Sequence, residues 1–181
     1  CVVIVPLLVG IKNRRLPPTP ALLGAALAAF GLAFLSLDGS QSFNRGDVLV
    51  LGCAFAFAFH IISVGEFAEH SSSETLTLLQ IGSVGLFSLF WSGTTGQLAF
   101  RLSLPVWGGI IFCALAATAL AYLIQTKAQK ITSPTRTALI FSTEPVFGAL
   151  FAYLYAGELL TVKALLGCLI ILMGMLFAEL G

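Results

Sequence analysis

The chain alternates between long apolar runs and short polar connectors along its whole length. A helix needs about 20 mainly apolar residues to cross the hydrocarbon core of a bilayer, so runs of this length predict transmembrane helices. The connectors are rich in Gly, Pro, Ser and charged residues, and they leave no room for a soluble domain. The pattern predicts an apolar stub that is too short to cross, followed by six full spans: Cys1–Ile11, then Pro20–Leu37, Asp47–Gly65, Thr75–Gly93, Leu104–Ala128, Thr137–Ala156 and Val162–Leu180.

Composition agrees with a chain that lies mostly in lipid. Hydrophobic residues make up 58% of it and charged residues only 9%, whereas a soluble domain carries about 25% charged residues. These values exclude a disordered chain, which needs low hydrophobicity and high charge. The net charge of +1 provides no basic face for nucleic acid, so we expect no nucleic-acid partner. We predict the all-α fold class, as a polytopic transmembrane helix bundle whose partner is the lipid bilayer.

Lysines and arginines in short loops mark the cytoplasmic side of a membrane protein. If the spans alternate in direction, six lysines and arginines lie on the side that holds the C-terminus and three lie on the other side. The six are Lys12, Arg14, Arg15, Lys127, Lys130 and Arg136, and the three are Arg45, Arg101 and Lys163. We therefore predict a cytoplasmic C-terminus in a plasma (inner) membrane.

Two of the predicted spans resemble each other in sequence. Ala21–Leu37 and Ala164–Leu180 are identical at seven of seventeen positions, and each contains two glycines at the same spacing of seven. The shared glycines and the prolines that precede them are Gly24, Gly31 and Pro6 in the first copy and Gly167, Gly174 and Pro145 in the second. We interpret the likeness as a true repeat rather than a chance match between two Leu/Ala/Gly-rich helices, and we expect its glycines to allow close helix packing.

The two copies are five spans apart, and an odd number of crossings gives them opposite orientations. This is an inverted-topology repeat, a plan that many secondary transporters use. The second copy closes a five-helix unit, whereas the first retains only its last full helix and a stub, so we expect a ten-helix parent with further helices upstream of Cys1. The predicted domains are the end of the first repeat over residues 1–37, a linker over 38–46, and the second repeat over 47–181.

Polar and small residues recur at helical spacing inside several predicted spans. A polar side chain is costly in lipid unless it faces protein or water, so these stripes either line a hydrated cavity or join tightly packed helices. The stripes are Thr118, Tyr122, Gln125 and Gln129; Thr137, Glu144, Gly148 and Tyr155; Gly52, Ala56, His60 and Ser63; and Thr77 with Gln80. We favour a cavity lined by Thr118, Tyr122, Gln125, Glu144, His60 and Ser63, with Gly52 and Gly148 allowing close packing.

Glu144 is an ionisable residue well inside a predicted span, and Pro145 follows it. The proline removes the hydrogen bond to the carbonyl of Phe141 and can kink the helix. A carboxylate beside that carbonyl suits a proton, a cation or a substrate amine. The alternatives are a structural pair with Lys127 or Arg136, or a protonated Glu144 that bonds to a neighbouring helix. His60 is the other ionisable residue inside a span; it suits proton coupling, or it is a neutral packing histidine.

Motifs of enzymes and metal sites are absent from the sequence. It contains no G-x-x-x-x-G-K-[ST], H-E-x-x-H or G-x-S-x-G pattern, so we predict neither ATP-driven transport nor hydrolysis. His60, Glu66, Glu69 and His70 are spread around a helix end and a loop, and the four cysteines have no metal spacing. We expect no cofactor, no metal and no enzymatic activity.

The segment Ala121–Leu160 carries a recognisable set of motifs. They are Gln125 and Ala128-Gln129, then Thr132-Ser133-Pro134-Thr135-Arg136, Glu144-Pro145-Val146-Phe147 and Gly157-Glu158, followed by Leu165, Leu166, Gly167 and Gly174. These motifs resemble the last repeat of the EamA family in the drug/metabolite transporter superfamily, and Gly46-Asp47 looks like the start of its second repeat. The resemblance implies ten helices in two inverted repeats, cytoplasmic termini, a central cavity, and alternating access that often exports amino acids or other small metabolites.

The resulting functional prediction is a secondary transporter or facilitator of small polar metabolites. The alternative is a membrane protein that transports nothing, either a scaffold or an inactive fragment. The sequence leaves a homodimer open, and it names neither the substrate nor the coupling ion.

Overall fold

The computed structural model describes residues 1–36, 45–97 and 102–180. Within these ranges the chain is helical, because a backbone in lipid must satisfy its own hydrogen bonds within each segment. The described helices are α1 (Ile4–Asn13), α2 (Thr19–Ser36), α3 (Arg45–Ala68), α4 (Ser73–Thr94), α5 (Leu104–Gln129), α6 (Pro134–Ala156) and α7 (Val162–Leu180).

Five of the described helices, α3 to α7, are long and apolar enough to cross a membrane, and α1 and α2 are apolar but shorter. The predicted stub therefore appears as α1, and the predicted span Pro20–Leu37 appears as α2. The prediction of six full spans stays a prediction, since only five helices reach that length in the described part of the chain. Leu37, residues 38–44 of the predicted linker, Arg101 and Gly181 lie outside the described residues.

The chain forms two compact units. Unit 1 consists of Cys1–Ser63 and Thr132–Gly181, and unit 2 of Val64–Ile131. Small side chains dominate the two apolar clusters of unit 1, which are Val2, Ala25, Ala28, Leu139 and Ala178, and Val5, Ala58, Ile61 and Ala138. Large apolar side chains are mostly exposed on both units. Small residues inside and large apolar residues outside are typical of helices that pack against each other in lipid.

Helices α2 and α7 pack through two pairs of glycines. A Cβ atom added at Gly24 would lie 2.5 Å from the carbonyl oxygen of Gly174, and one added at Gly31 would lie 2.8 Å from that of Gly167. The reverse additions, at Gly174 and Gly167, would meet the oxygens of Gly24 at 2.8 Å and Gly31 at 3.0 Å. Only glycine permits this approach of one backbone to the other at these four positions.

The pairing also shows in which directions these two helices of similar sequence run. Moving seven residues up α2, from Gly24 to Gly31, corresponds to moving seven residues down α7, from Gly174 to Gly167, so the two helices are antiparallel. The sequence comparison equates Gly24 with Gly167 and Gly31 with Gly174. The interface is therefore the same from either helix, as at an interface built on a two-fold axis.

The hairpins α1–α2 and α6–α7 have the same length in their turns. Helix α1 ends at Asn13 and α2 begins at Thr19, whereas α6 ends at Ala156 and α7 begins at Val162. Each first helix ends in a left-handed residue: Arg14 with φ 50° and Gly157 with φ 69°. Arg14 and Gly157 each lie seven residues before the start of the two similar segments, at Ala21 and Ala164, so the same helix ending occurs at the same place in both hairpins.

The two left-handed positions should respond in opposite directions to substitution. An L-residue in this conformation costs about 1–2 kcal/mol, whereas glycine adopts it freely. We expect Gly157→Ala to destabilise the full-length protein by about 1 kcal/mol, and Arg14→Gly to be neutral or slightly stabilising. Thermal unfolding in detergent measures both changes. A lower midpoint for Arg14→Gly, together with an unchanged midpoint for Gly157→Ala, would contradict the expectation.

Candidate functional site

A cluster of buried polar side chains joins α4 to α5 in unit 2, and Thr126 lies at its centre. Thr126 is fully buried, and its hydroxyl donates a hydrogen bond of 2.8 Å to the carbonyl oxygen of Tyr122. The same hydroxyl accepts from the hydroxyl of Thr77 at 3.3 Å and from the amide of Gln80 at 3.4 Å. Gln80 also donates to the carbonyl of Leu76 at 3.1 Å. The cluster therefore links two apolar helices through polar atoms.

Two glutamines on α5 lie beside this cluster. Gln125 is 8% exposed and Gln129 is 3% exposed, and the amide nitrogen of Gln125 donates to the side-chain oxygen of Gln129 at 3.2 Å. Each amide has two N–H donors and a carbonyl with two lone pairs, so each side chain can form several hydrogen bonds at once. These side chains can offer neutral donors and acceptors within a largely apolar helix.

Exposed charges close one end of the α4–α5 hairpin. Ser72 caps α4 by accepting from the backbone N–H of Thr75 at 3.1 Å. Lys127 lies 3.1 Å from Glu74, and Lys130 donates to the carbonyl of Ser71 at 2.9 Å. Exposed ion pairs contribute little to stability. The buried hydrogen bonds around Thr126 therefore contribute more to joining α4 and α5 than these exposed charges do.

A π-helical segment, Cys113–Leu120, interrupts α5 directly before the polar cluster. Its wider turn changes the periodicity on which the predicted stripe depends, and such segments are frequent at functional sites. Thr118 and Tyr122 are half-buried, one inside the segment and one after it. Three of the predicted cavity residues, Thr118, Tyr122 and Gln125, therefore lie on one helix of unit 2.

The other three predicted cavity residues lie in unit 1. Glu144 is exposed at the start of the second half of α6, directly after a turn at residues 142–143. His60 is half-buried on α3, with its ring 5.5 Å from that of Phe57, and Ser63 is exposed on the same helix. The structure places the six residues in two units, three in each, and a shared cavity stays a prediction.

The turn in α6 has a local cause. Pro145 has no N–H to offer the carbonyl of Phe141, and the hydroxyls of Ser142 and Thr143 donate instead to the carbonyls of Leu139 and Ile140, each at 2.6 Å. The two basic residues considered as partners of Glu144 contact other carboxylates. Lys127 pairs with Glu74, and Arg136 lies 3.8 Å from Glu179.

Two further sequence predictions concern glycines and metals. A Cβ added at Gly52 or Gly148 would meet no heavy atom within 4 Å among the described residues, so the packing role of these two glycines stays a prediction. Across the same described ranges, no group of three His, Cys, Asp or Glu side chains is placed to hold a metal ion.

Sequence reasoning missed Thr126, the residue at the centre of the cluster. The available signal was its position four residues after Tyr122, on the edge of the predicted stripe. It carried little weight because a threonine inside a helix often bonds only the carbonyl four residues before it. Its contacts with Thr77 and Gln80 depend on the packing of α4, which the spacing along α5 does not reveal.

Long apolar helices, small residues at their contacts and a buried polar cluster define a polytopic helical membrane protein. Residues 44–180 match the EamA-like transporter family, and the chain belongs to that family. It is 31% identical over 158 residues to an uncharacterized transporter of Archaeoglobus fulgidus. The aligned residues make up 87% of this chain and 50% of that protein. The uncharacterized transporter YyaM of Bacillus subtilis is 25% identical, over 87% of this chain and 54% of its own length.

The chain spans about half the length of the curated relatives it matches. No solved structure matches it significantly.

Proposed function

We propose that the full-length protein is a secondary transporter or facilitator that moves small polar metabolites across the plasma (inner) membrane by alternating access. Family membership and the names of its relatives support transport as the class of activity. The structural observation that carries the proposal is the buried polar cluster of α4 and α5, which surrounds Thr126 with hydroxyl and amide groups inside apolar helices. Polar groups inside membrane helices are costly, and they commonly mark a substrate path.

The chemistry of the side chains indicates the kind of solute. Gln125 and Gln129 provide neutral donors and acceptors, which suit hydroxyl, amide and zwitterionic groups. In this proposal Thr118, Tyr122 and Gln125 line a solute site on α5, and Glu144, His60 and Ser63 are the other residues that take part in transport. The carboxylate of Glu144 would receive a substrate amine or a coupling proton, which makes amino acids and related compounds the first solutes to test. Export is the direction that the family resemblance suggests.

The antiparallel α2–α7 pair supports the inverted-repeat plan on which alternating access depends. In secondary transporters one repeat rocks against the other around a fixed site. The reciprocal glycine contacts and the matching turns of the two hairpins are the features expected where two inverted copies meet. The same proposal includes a cytoplasmic C-terminus, which the accessibility of a cysteine placed there tests. It also includes a homodimer as the assembly, which light scattering tests.

The direct test is counterflow in proteoliposomes that contain the full-length protein. The vesicles are loaded with unlabelled amino acids, nucleosides or sugar phosphates, and the uptake of the labelled form is measured. We expect saturable exchange of one solute class. Folded protein that exchanges none of the three classes would count against a carrier of small polar metabolites and favour the scaffold alternative.

Glu144 provides a sharper test of the mechanism. We expect Glu144→Gln to lower coupled transport at least tenfold and to flatten its pH profile, because the amide cannot exchange a proton. Glu158→Gln is the matched control: it removes an exposed carboxylate just beyond the end of α6 and should leave both properties unchanged. Unchanged transport with an unchanged pH profile in Glu144→Gln would remove Glu144 from the mechanism.

A further inference from the structure

We infer that Thr126 is a positioning residue of the transport site: its hydrogen bonds to α4 set the rotation of α5 and so the direction in which Gln125 points. This inference rests on the proposed function for the role of Gln125. Thr126 itself needs no contact with the solute.

The geometry of the cluster supports this role. The hydroxyl of Thr126 bonds along its own helix to the carbonyl of Tyr122, which turns the lone pairs of its oxygen toward other donors. Two donors from α4, Thr77 and Gln80, use that oxygen. Thr126 is therefore a meeting point for three polar groups, and it is fully buried.

Helical geometry transmits the constraint to the neighbouring glutamine. Consecutive residues of an α-helix are about 100° apart around its axis. With Thr126 held against α4, Gln125 points about 100° away from that contact. The region in question, Ala121–Gln129, is regular α-helix, whereas the π-helical segment before it has a different periodicity. The cluster thus holds the regular part of α5 at one rotation.

The energetic consequence is moderate and measurable. An interhelical hydrogen bond in a membrane protein changes a population about threefold on average, so two of them give about tenfold. If other rotations of α5 become populated, the apparent affinity for solute falls in proportion to the competent fraction. We expect Thr126→Val to raise the KM of counterflow by about threefold to tenfold with little change in kcat, and Thr126→Ser, which keeps the hydroxyl, to restore the KM.

Thiol labelling tests the rotation without any transport. In full-length protein with the four cysteines of this chain replaced by alanine, single cysteines are placed at Gln125, Gln129 and Leu115. Thr126→Val should raise the labelling rate at positions 125 and 129 about threefold or more, because these positions leave their buried side. Leu115 is already exposed, inside the π-helical segment and outside the regular part of α5, and its rate should stay constant.

The matched control is Thr137→Val. Thr137 is also buried, but its hydroxyl donates to the carbonyl of Ser133, the N-cap of its own helix, in unit 1. It should leave the labelling of α5 unchanged. If Thr126→Val does not fold, Thr77→Val removes one donor from α4 instead and should produce a smaller change in the same direction.

The two arms separate the inference from the proposed function. Absence of transport in the wild-type protein would count against the proposed function, whereas the labelling arm would still decide the rotation of α5. Equal labelling with and without the Thr126→Val substitution, or an equal rise at all three positions, would overturn the positioning role.

Discussion

Alanine at Gly24 or at Gly174 is expected to destabilise the full-length protein by about 1–3 kcal/mol. The added Cβ at Gly24 would lie 2.5 Å from both the carbonyl oxygen of Gly174 and the Cβ of Ala178. An obstacle made of backbone cannot rotate away as a flexible side chain can, so α2 and α7 must separate. The first apolar cluster of unit 1 contains Ala25, Ala28 and Ala178, and it would lose contacts as the helices move apart.

Two glycines in open surroundings provide the matched control. Gly52→Ala and Gly148→Ala add the same methyl group where no heavy atom of the described chain lies within 4 Å. Alanine is the better helix former by about 0.5–1 kcal/mol, so we expect these variants to be neutral or more stable, a result that would exclude the close-packing role that the sequence predicts for these two glycines. Thermal unfolding in detergent distinguishes the pairs by several degrees. Equal midpoints for Gly24→Ala and Gly52→Ala would show that the α2–α7 approach is looser than the structure indicates.

Leucine at Gln125 is expected to raise the KM of counterflow about tenfold. A neutral hydrogen bond contributes about 1 kcal/mol, and a donor or acceptor on the solute that is left without a partner adds to the loss. Tenfold corresponds to about 1.4 kcal/mol. Leucine has a similar size but removes the donor to the buried side-chain oxygen of Gln129, so we expect the unfolding midpoint to fall by a few degrees. Gln125→Asn, which keeps the amide on a shorter side chain, should have an intermediate KM.

Gln97→Leu is the control for this substitution. It replaces an exposed amide beyond the end of α4 and should leave the KM unchanged. KM and kcat are measured for the same solute in all three variants. A lost solute contact raises KM, whereas a smaller amount of folded protein lowers only the apparent kcat. A wild-type KM in Gln125→Leu would exclude Gln125 from the solute contact and leave its bond to Gln129 as its role.

Much of the architecture could be predicted from the order of apolar and polar residues. In lipid, an apolar run such as Val162–Leu180 satisfies its own backbone hydrogen bonds only if it forms a helix. Its length and composition therefore determine its structure. Gly24 and Gly31 are seven residues apart, nearly two helical turns, and therefore lie on one face of α2. The sequence also relates them to Gly167 and Gly174, and it predicts that all four allow close packing.

The spacing of residues along a helix does not show which other helix each of its faces contacts. Spacing along α2 shows that two glycines share a face, but only the packed structure shows that this face meets α7 in the antiparallel direction. Spacing along α5 likewise groups Tyr122, Gln125 and Gln129, yet the centre of the cluster is Thr126. Its importance comes from Thr77 and Gln80, which lie 49 and 46 residues away along the chain.

The π-helical segment in α5 is a second feature that the pattern did not predict. Cys113–Leu120 consists of small and apolar residues that suit a regular α-helix equally well. The two forms differ only in which carbonyl accepts each backbone hydrogen bond, and composition does not select between them.

The sequence by itself determined that this chain consists of membrane helices, two of them with similar, glycine-bearing sequences, because burial in lipid is a local requirement that each segment meets on its own. The tertiary structure decided which faces meet and which polar groups gather around Thr126. These depend on the rotation and height of one helix against another, and distant residues set them together.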